Sequence, residues 1–134
     1  GVIDGRCTAI IAGRGSVAEK LEGVCHTVVD VMFENKEFLV AVFDYVVGMV
    51  RTGADMNAAI REFTGGTREA LKRLIAAGIR RGELPDVLQV HRTADAIYAE
   101  FESCALRIVI GTERDSSAAR QRLSDVVRAI SAWK

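Results

Sequence analysis

The stretch from Thr67 to Gly111, TREALKRLIAAGIRRGELPDVLQVHRTADAIYAEFESCALRIVIG, decides the fold. Its first part sets Ala70, Leu71, Leu74, Ile75 and Gly78 on one side at helical spacing. Gly82 suits the left-handed position past a helix end. Arg80 and Arg81 suit the negative end of the helix dipole, and Pro85 forbids continuation. A second helix is predicted from near Val90 to Gly111. At about 100° per residue, Val90, Ala94, Ile97, Phe101, Cys104 and Ile108 form one apolar stripe. Ala96, Ala99, Ser103, Leu106 and Ile110 form another on the far side, with Glu100 and Arg107 in one seam and Asp95 and Glu102 in the other. A helix with two apolar stripes needs cover on both sides. Its own domain supplies one cover. In a chain of 134 residues, a partner subunit is the expected source of the second.

The remaining segments also read as helices. Ile3, Cys7, Ile10 and Ile11 share a helical face over Val2 to Ala12, although a strand over Cys7 to Ala12 is a competing reading. Gly13-Arg14-Gly15 breaks that element. Ser16 with Glu19 is a capping box and starts a helix at Val17, whose face is Val17, Leu21, Val24, Cys25, Val28 and Met32. Asn35 is the expected cap of the next helix. That helix carries Phe38, Leu39, Val42, Phe43, Val46, Val47, Met49 and Val50, and a narrow polar sector of Asp44, Gly48 and Arg51. So apolar a helix is expected inside the domain. Thr52-Gly53-Ala54 is a turn and Asp55 an N-cap. Met56, Ile60, Phe63, Thr67, Leu71, Leu74 and Gly78 keep one register across Gly65-Gly66. This predicts one long helix, with two helices meeting at Thr67 as the alternative. Thr112 to Asp115 is a loop. Asp115 or Ser116 caps a last helix with Ala119, Leu123, Val126, Val127, Ile130 and Trp133 on one face. Strand-like alternation is absent, so the pattern predicts a single all-α domain of six helices over residues 1–134.

Composition narrows the function. Hydrophobic residues make up 49% and charged residues 27%, a globular balance. Eighteen basic residues against eighteen acidic ones give no net charge, which argues against a nucleic-acid-binding module. Cys7, Cys25 and Cys104 are odd in number and lack CxxC spacing, so a reduced, cytoplasmic setting is expected and no structural zinc. No signal peptide is visible. The longest apolar stretch, Phe38 to Val50, is interrupted by Asp44 and is short of the ~20 residues of a spanning helix, so no membrane partner is expected.

Few residues suggest chemistry. Gly13-Arg14-Gly15 before a helix mimics a phosphate-cradling turn, but Ala18 replaces the third glycine and no second strand follows; a joint between helices is the better reading. Cys25 and His26 are helix neighbours pointing about 100° apart, so Cys25 reads as core and His26 as a surface or interface residue. His91, in the first turn of its helix, reads as neutral and structural or at a pocket rim. Arg68, Lys72, Arg73, Arg80 and Arg81 read as a solvated face rather than a basic site. No paired carboxylates, Ser-His-Asp set or metal spacing appears, so neither enzyme activity nor a cofactor is expected. Met32, Phe38, Phe43, Met49, Phe63, Tyr98 and Phe101 come from four helices and suit either a core or an apolar pocket.

The run EALKRLIAAGIRRGELPDVLQVHRTADAIYAEFESCALRIVIG resembles the late part of the ligand-binding domain of tetracycline-repressor (TetR) family regulators. There a long helix closes with a Gly-Glu/Asp-Leu/Ile/Phe turn, followed by Asp and a dimer-forming helix. Here the turn is Gly82-Glu83-Leu84 with Asp86 following. The resemblance implies a bacterial repressor's effector-sensing and dimerisation domain. It implies a small apolar or aromatic effector, with Phe43, Phe63, Tyr98 and Phe101 as candidate pocket residues. It also implies a homodimer in which the last two helices of each copy form a four-helix bundle, through Ala96, Ala99, Ser103, Leu106, Ile110 and Ala129. Ala118 and Ala132 extend the small-residue stripe of the last helix. The chain opens with Gly1 and no helix-turn-helix precedes its first helix, so operator DNA is expected to be bound only by a head outside this chain. A small helical enzyme and a dimeric helical adaptor without a pocket are the competing readings.

Overall fold

A computed structural model describes residues 2–133, apart from the side chains of 2–4, 56, 57 and 59–65. It contains six helices and, among the described residues, no strand. They are α1 (Val2–Ala12), α2 (Val17–Glu34), α3 (Lys36–Arg51), α4 (Met56–Arg80), α5 (Val90–Ile110) and α6 (Ser116–Ser131). The segment Cys7 to Ala12 is helical, so the strand reading fails and with it the phosphate-turn topology. α4 is one uninterrupted helix through Gly65-Gly66.

α2 is the hub. Val17, Leu21, Val24, Cys25, Val28, Val29, Val31 and Met32 are all buried on it, a wider face than one stripe. α6 runs antiparallel along α2: Arg120 reaches Asp30 at 3.4 Å, and Ser124 meets His26 four residues earlier on α2. α1 is antiparallel on another side, with Arg6 3.3 Å from Glu34 and Ile10 seated over Gly23. A methyl group added to Gly23 would lie 3.1 Å from that Ile10 side chain, so the glycine sets the approach. The core continues through Leu71, Leu74 and Ile75 of α4, the inner stripe of α5, and Ala119, Leu123, Val127 and Ile130 of α6.

The turn after α4 is a junction of three elements. Gly82 adopts φ +74°, and the Glu83 and Leu84 amides both donate to the Gly78 carbonyl, at 2.9 and 3.0 Å. These bonds cap free carbonyls at the helix end. They also fold Leu84 back onto the core, where it is buried. Glu83 then accepts from the Val17 amide at 3.0 Å, placing a carboxylate at the positive end of α2. One residue earlier, the Ser16 hydroxyl accepts from the Glu19 amide at 3.1 Å.

Three expectations are corrected. α3 is not inside the domain: none of its residues is buried, and Phe38 is 62% exposed. Asn35 does not cap α3 through its side chain, which instead donates to the Val31 carbonyl of α2 at 2.8 Å. Trp133, assigned to the inner face of α6, is 61% exposed. Asp115, by contrast, caps α6 as anticipated, accepting from the Ser117 amide at 2.9 Å. Those Ser117 bonds hold its carboxyl below the usual range.

Two substitutions test this frame. A Cβ on Gly78 would sit 2.7 Å from Leu84 Cδ1 and 2.8 Å from Val17 Cγ1, and both neighbours are locked in the core. Alanine's helix propensity returns up to about 1 kcal/mol, while overpacking costs roughly 1–3 kcal/mol. Gly78→Ala is therefore expected to lower the urea midpoint, and a raised midpoint would contradict the junction. Ser16→Ala is expected to cost about 1 kcal/mol in the same assay, through loss of the cap.

Candidate functional site

The first polar cluster lies between α4 and α5. Arg68 pairs with Asp95, and its guanidinium carbon stands 4.4 Å from the centre of the Tyr98 ring. Tyr98 in turn meets Phe101 edge-to-face at 5.2 Å. This is a cation–π contact joined to an aromatic pair. Arg68 is thus drawn off the solvated face to which the spacing assigned it. His91 approaches Asp95 at 3.3 Å and is largely exposed. Tyr98 and Phe101, candidate ligand residues, are buried in mutual contact. Phe43 is half-buried against the core. The side chain of Phe63 lies outside the described residues.

A second cluster brings together residues that no local motif connects. His26 Nε2 lies 2.7 Å from the Ser124 hydroxyl, which donates to Glu22 Oε1 at 3.2 Å. Serine, histidine and glutamate invite comparison with a nucleophilic triad. The order of bonds differs. The serine hydroxyl lies within hydrogen-bond distance of both the His26 ring and the Glu22 carboxylate. Glu22 approaches the same Nε2, at 3.8 Å, whereas the carboxylate of a triad holds the opposite ring nitrogen. The cluster braces α2 against α6, an interface role within the chain for His26. A third polar pair, Glu113 with Arg122 at 2.6 Å, pins the α5–α6 loop, and the Glu113 side chain is 8% exposed.

The open space is elsewhere. A cleft of about 340 Å³ separates α1 from α4. Cys7, Thr8, Ile11 and Ala12 form one wall; Gly66, Thr67, Ala70 and Arg73 form the other. Both sets follow helical spacing, so each is one stripe of its helix. Ala12, Gly66 and Ala70 bring no bulk to the helix crossing, and the gap remains unfilled. The volume falls within the ~300–1,000 Å³ of small-molecule sites. Sequence reasoning missed this cleft. The available signal was the run of small residues Gly66 and Ala70, read only as part of a helix register, and Arg73, read as solvated.

The dimer candidates are also placed. Ala96, Ala99, Leu106 and Ile110 face outward on α5, with Leu106 47% and Ile110 61% exposed, and Ser103 is half-exposed. Ala118, Ala129 and Ala132 are exposed on and just after α6. Among the described residues, no group of three His, Cys, Asp or Glu could hold a metal ion, and no helix is long and apolar enough to cross a membrane. No protein-family model matches the chain, and neither the curated proteins nor the solved structures yield a match to it.

The thiols follow burial. Cys25 is wholly enclosed, and desolvation, reinforced by Cys7 and Glu22, pushes its pKa up to about 12. Burial and the nearby Glu113 also raise Cys104, against the opposing pull of Arg122 and Arg107. At pH 8 only about one Cys25 in ten thousand is thiolate, the nucleophilic form. Iodoacetamide is therefore expected to modify Cys25 only after denaturation. Mass spectrometry showing Cys25 alkylated in the folded protein would contradict its placement.

Proposed function

We propose that this chain is the effector-sensing and dimerisation part of a TetR-like transcriptional repressor of the bacterial cytoplasm, without catalytic activity or cofactor. The observation that carries the reading is the two-sided character of α5. Its inner stripe, Ala94, Ile97, Phe101, Cys104 and Ile108, is buried in the chain's own core. Its outer stripe of small and aliphatic residues stands uncovered. Small residues allow a second helix to approach closely, and Leu106 and Ile110 offer apolar area. Together with Ala129 and its neighbours on α6, they suit an isologous four-helix contact between two copies. Obligate contacts of that kind are apolar and often exceed ~2,000 Å².

The α1–α4 cleft supports the sensing half of the proposal. An effector seated between these helices favours one separation of α1 from α4. α1 is the first helix, so a head joined on its N-terminal side would move with it. In a dimer, the spacing of two such heads on operator DNA then depends on effector occupancy. In this reading the effector sits beside α1, against the wall formed by Gly66, Thr67, Ala70 and Arg73.

Leu106→Glu tests the dimer. It buries a charge without a partner at the centre of the proposed interface. Light scattering after size exclusion is expected to find the wild type as a dimer, Leu106→Glu as monomer or aggregate, and Ser103→Ala still dimeric. A Leu106→Glu chain that remains a well-behaved dimer would remove α5 from the interface.

A further inference from the structure

We propose that the cleft between α1 and α4 binds a small monocarboxylate with a short apolar body, an assignment that rests on the sensing role proposed above. The charge comes from Arg73, the one charged side chain among the described residues that line the cleft. Its nearest acidic neighbour one turn back, Glu69, is held by Lys72 at 3.4 Å. Arg73 is exposed, and no acidic side chain among the described residues pairs with it. A guanidinium presents its N–H groups as a planar fork that matches a carboxylate in two parallel bonds. Thr67, one and a half turns before Arg73 on α4, adds a hydroxyl to the same wall.

The remaining lining sets the body of the ligand. Ile11, Ala12 and Ala70 are apolar, and Cys7 is a buried small hydrophobe. Among the described residues no aromatic side chain lines the cleft. A volume of about 340 Å³ is small for a drug-sized molecule but ample for a chain of a few methylene groups. One cation on one wall fits a single negative charge.

Calorimetric titration of the intact chain with octanoate, and with octanamide as its neutral isostere, tests the assignment. Octanoate is expected to bind once per chain, and octanamide roughly two- to fivefold more weakly, the range for an ion pair open to water. Arg73→Gln should bring octanoate down to the level of octanamide and leave octanamide unchanged. Arg81→Gln, which removes an exposed charge outside the cleft, should change neither. Ala70→Phe should abolish both by filling the space, with Ala12→Leu on the opposite wall as the alternative if the first variant does not fold. Equal binding of acid and amide, insensitive to Arg73→Gln but lost in Ala70→Phe, would overturn the carboxylate and keep the cleft as sensor. Octanoate binding that survives both cleft-filling variants would overturn the cleft itself. The absence of any octanoate binding at millimolar concentration would overturn the carboxylate assignment, while the dimer test at Leu106 stands independently.

Discussion

The close seating of Leu84 and Val17 against Gly78 is the constraint on which the arrangement depends. It joins the end of α4, the start of α2 and the approach to α5 at one point. Only a hydrogen at Gly78 allows that approach, because any larger side chain would meet Leu84 and Val17 inside van der Waals distance. The Glu83 carboxylate adds direction by accepting from the first amide of α2. The short link from Leu84 to Gln89 then commits α5 to lie back along α4, where Arg68 meets Asp95. The orientation of α5, with one stripe inward and the other outward, follows from this closure.

Much of this was legible in the sequence because the signals are local. Gly82, Pro85 and the arginines before them fix a helix stop by backbone and dipole effects within a few residues. Ser16, Asp115 and Gly111 mark their helix ends for the same reason, and Gly111 closes α5 at φ +81°. The inner stripe of α5 was likewise given by period alone. Asn35 shows the limit of such rules. It sits between two helices, and its amide found a carbonyl on the preceding one.

What depended on neighbours was harder to read. Apolar residues nearly all round α3 signalled burial, yet a bundle of six helices encloses fully only its central member, and that place belongs to α2. Composition gives the wish for cover but not which helix receives it. The cleft was illegible for a related reason: small residues on α1 and α4 leave a gap only where the two helices happen to cross. The Glu22–His26–Ser124 bracing spans 98 positions between His26 and Ser124, beyond any local spacing rule. These particular residues show why a periodic pattern specifies an element's face better than its partner.

The central functional claim is that the two faces of α5 serve two different assemblies, one within the chain and one proposed between chains. Thermal denaturation over a wide range of protein concentration tests it most directly, because a folded dimer gains stability by mass action and a monomer does not. The account expects the wild-type midpoint to rise with concentration. Leu106→Ala, on the outer face, should lose most of that dependence. Phe101→Ala, on the inner face, should lower the midpoint at every concentration, by an amount matching roughly 3–5 kcal/mol, and keep the dependence. A wild-type midpoint that stays fixed as concentration changes would contradict the account.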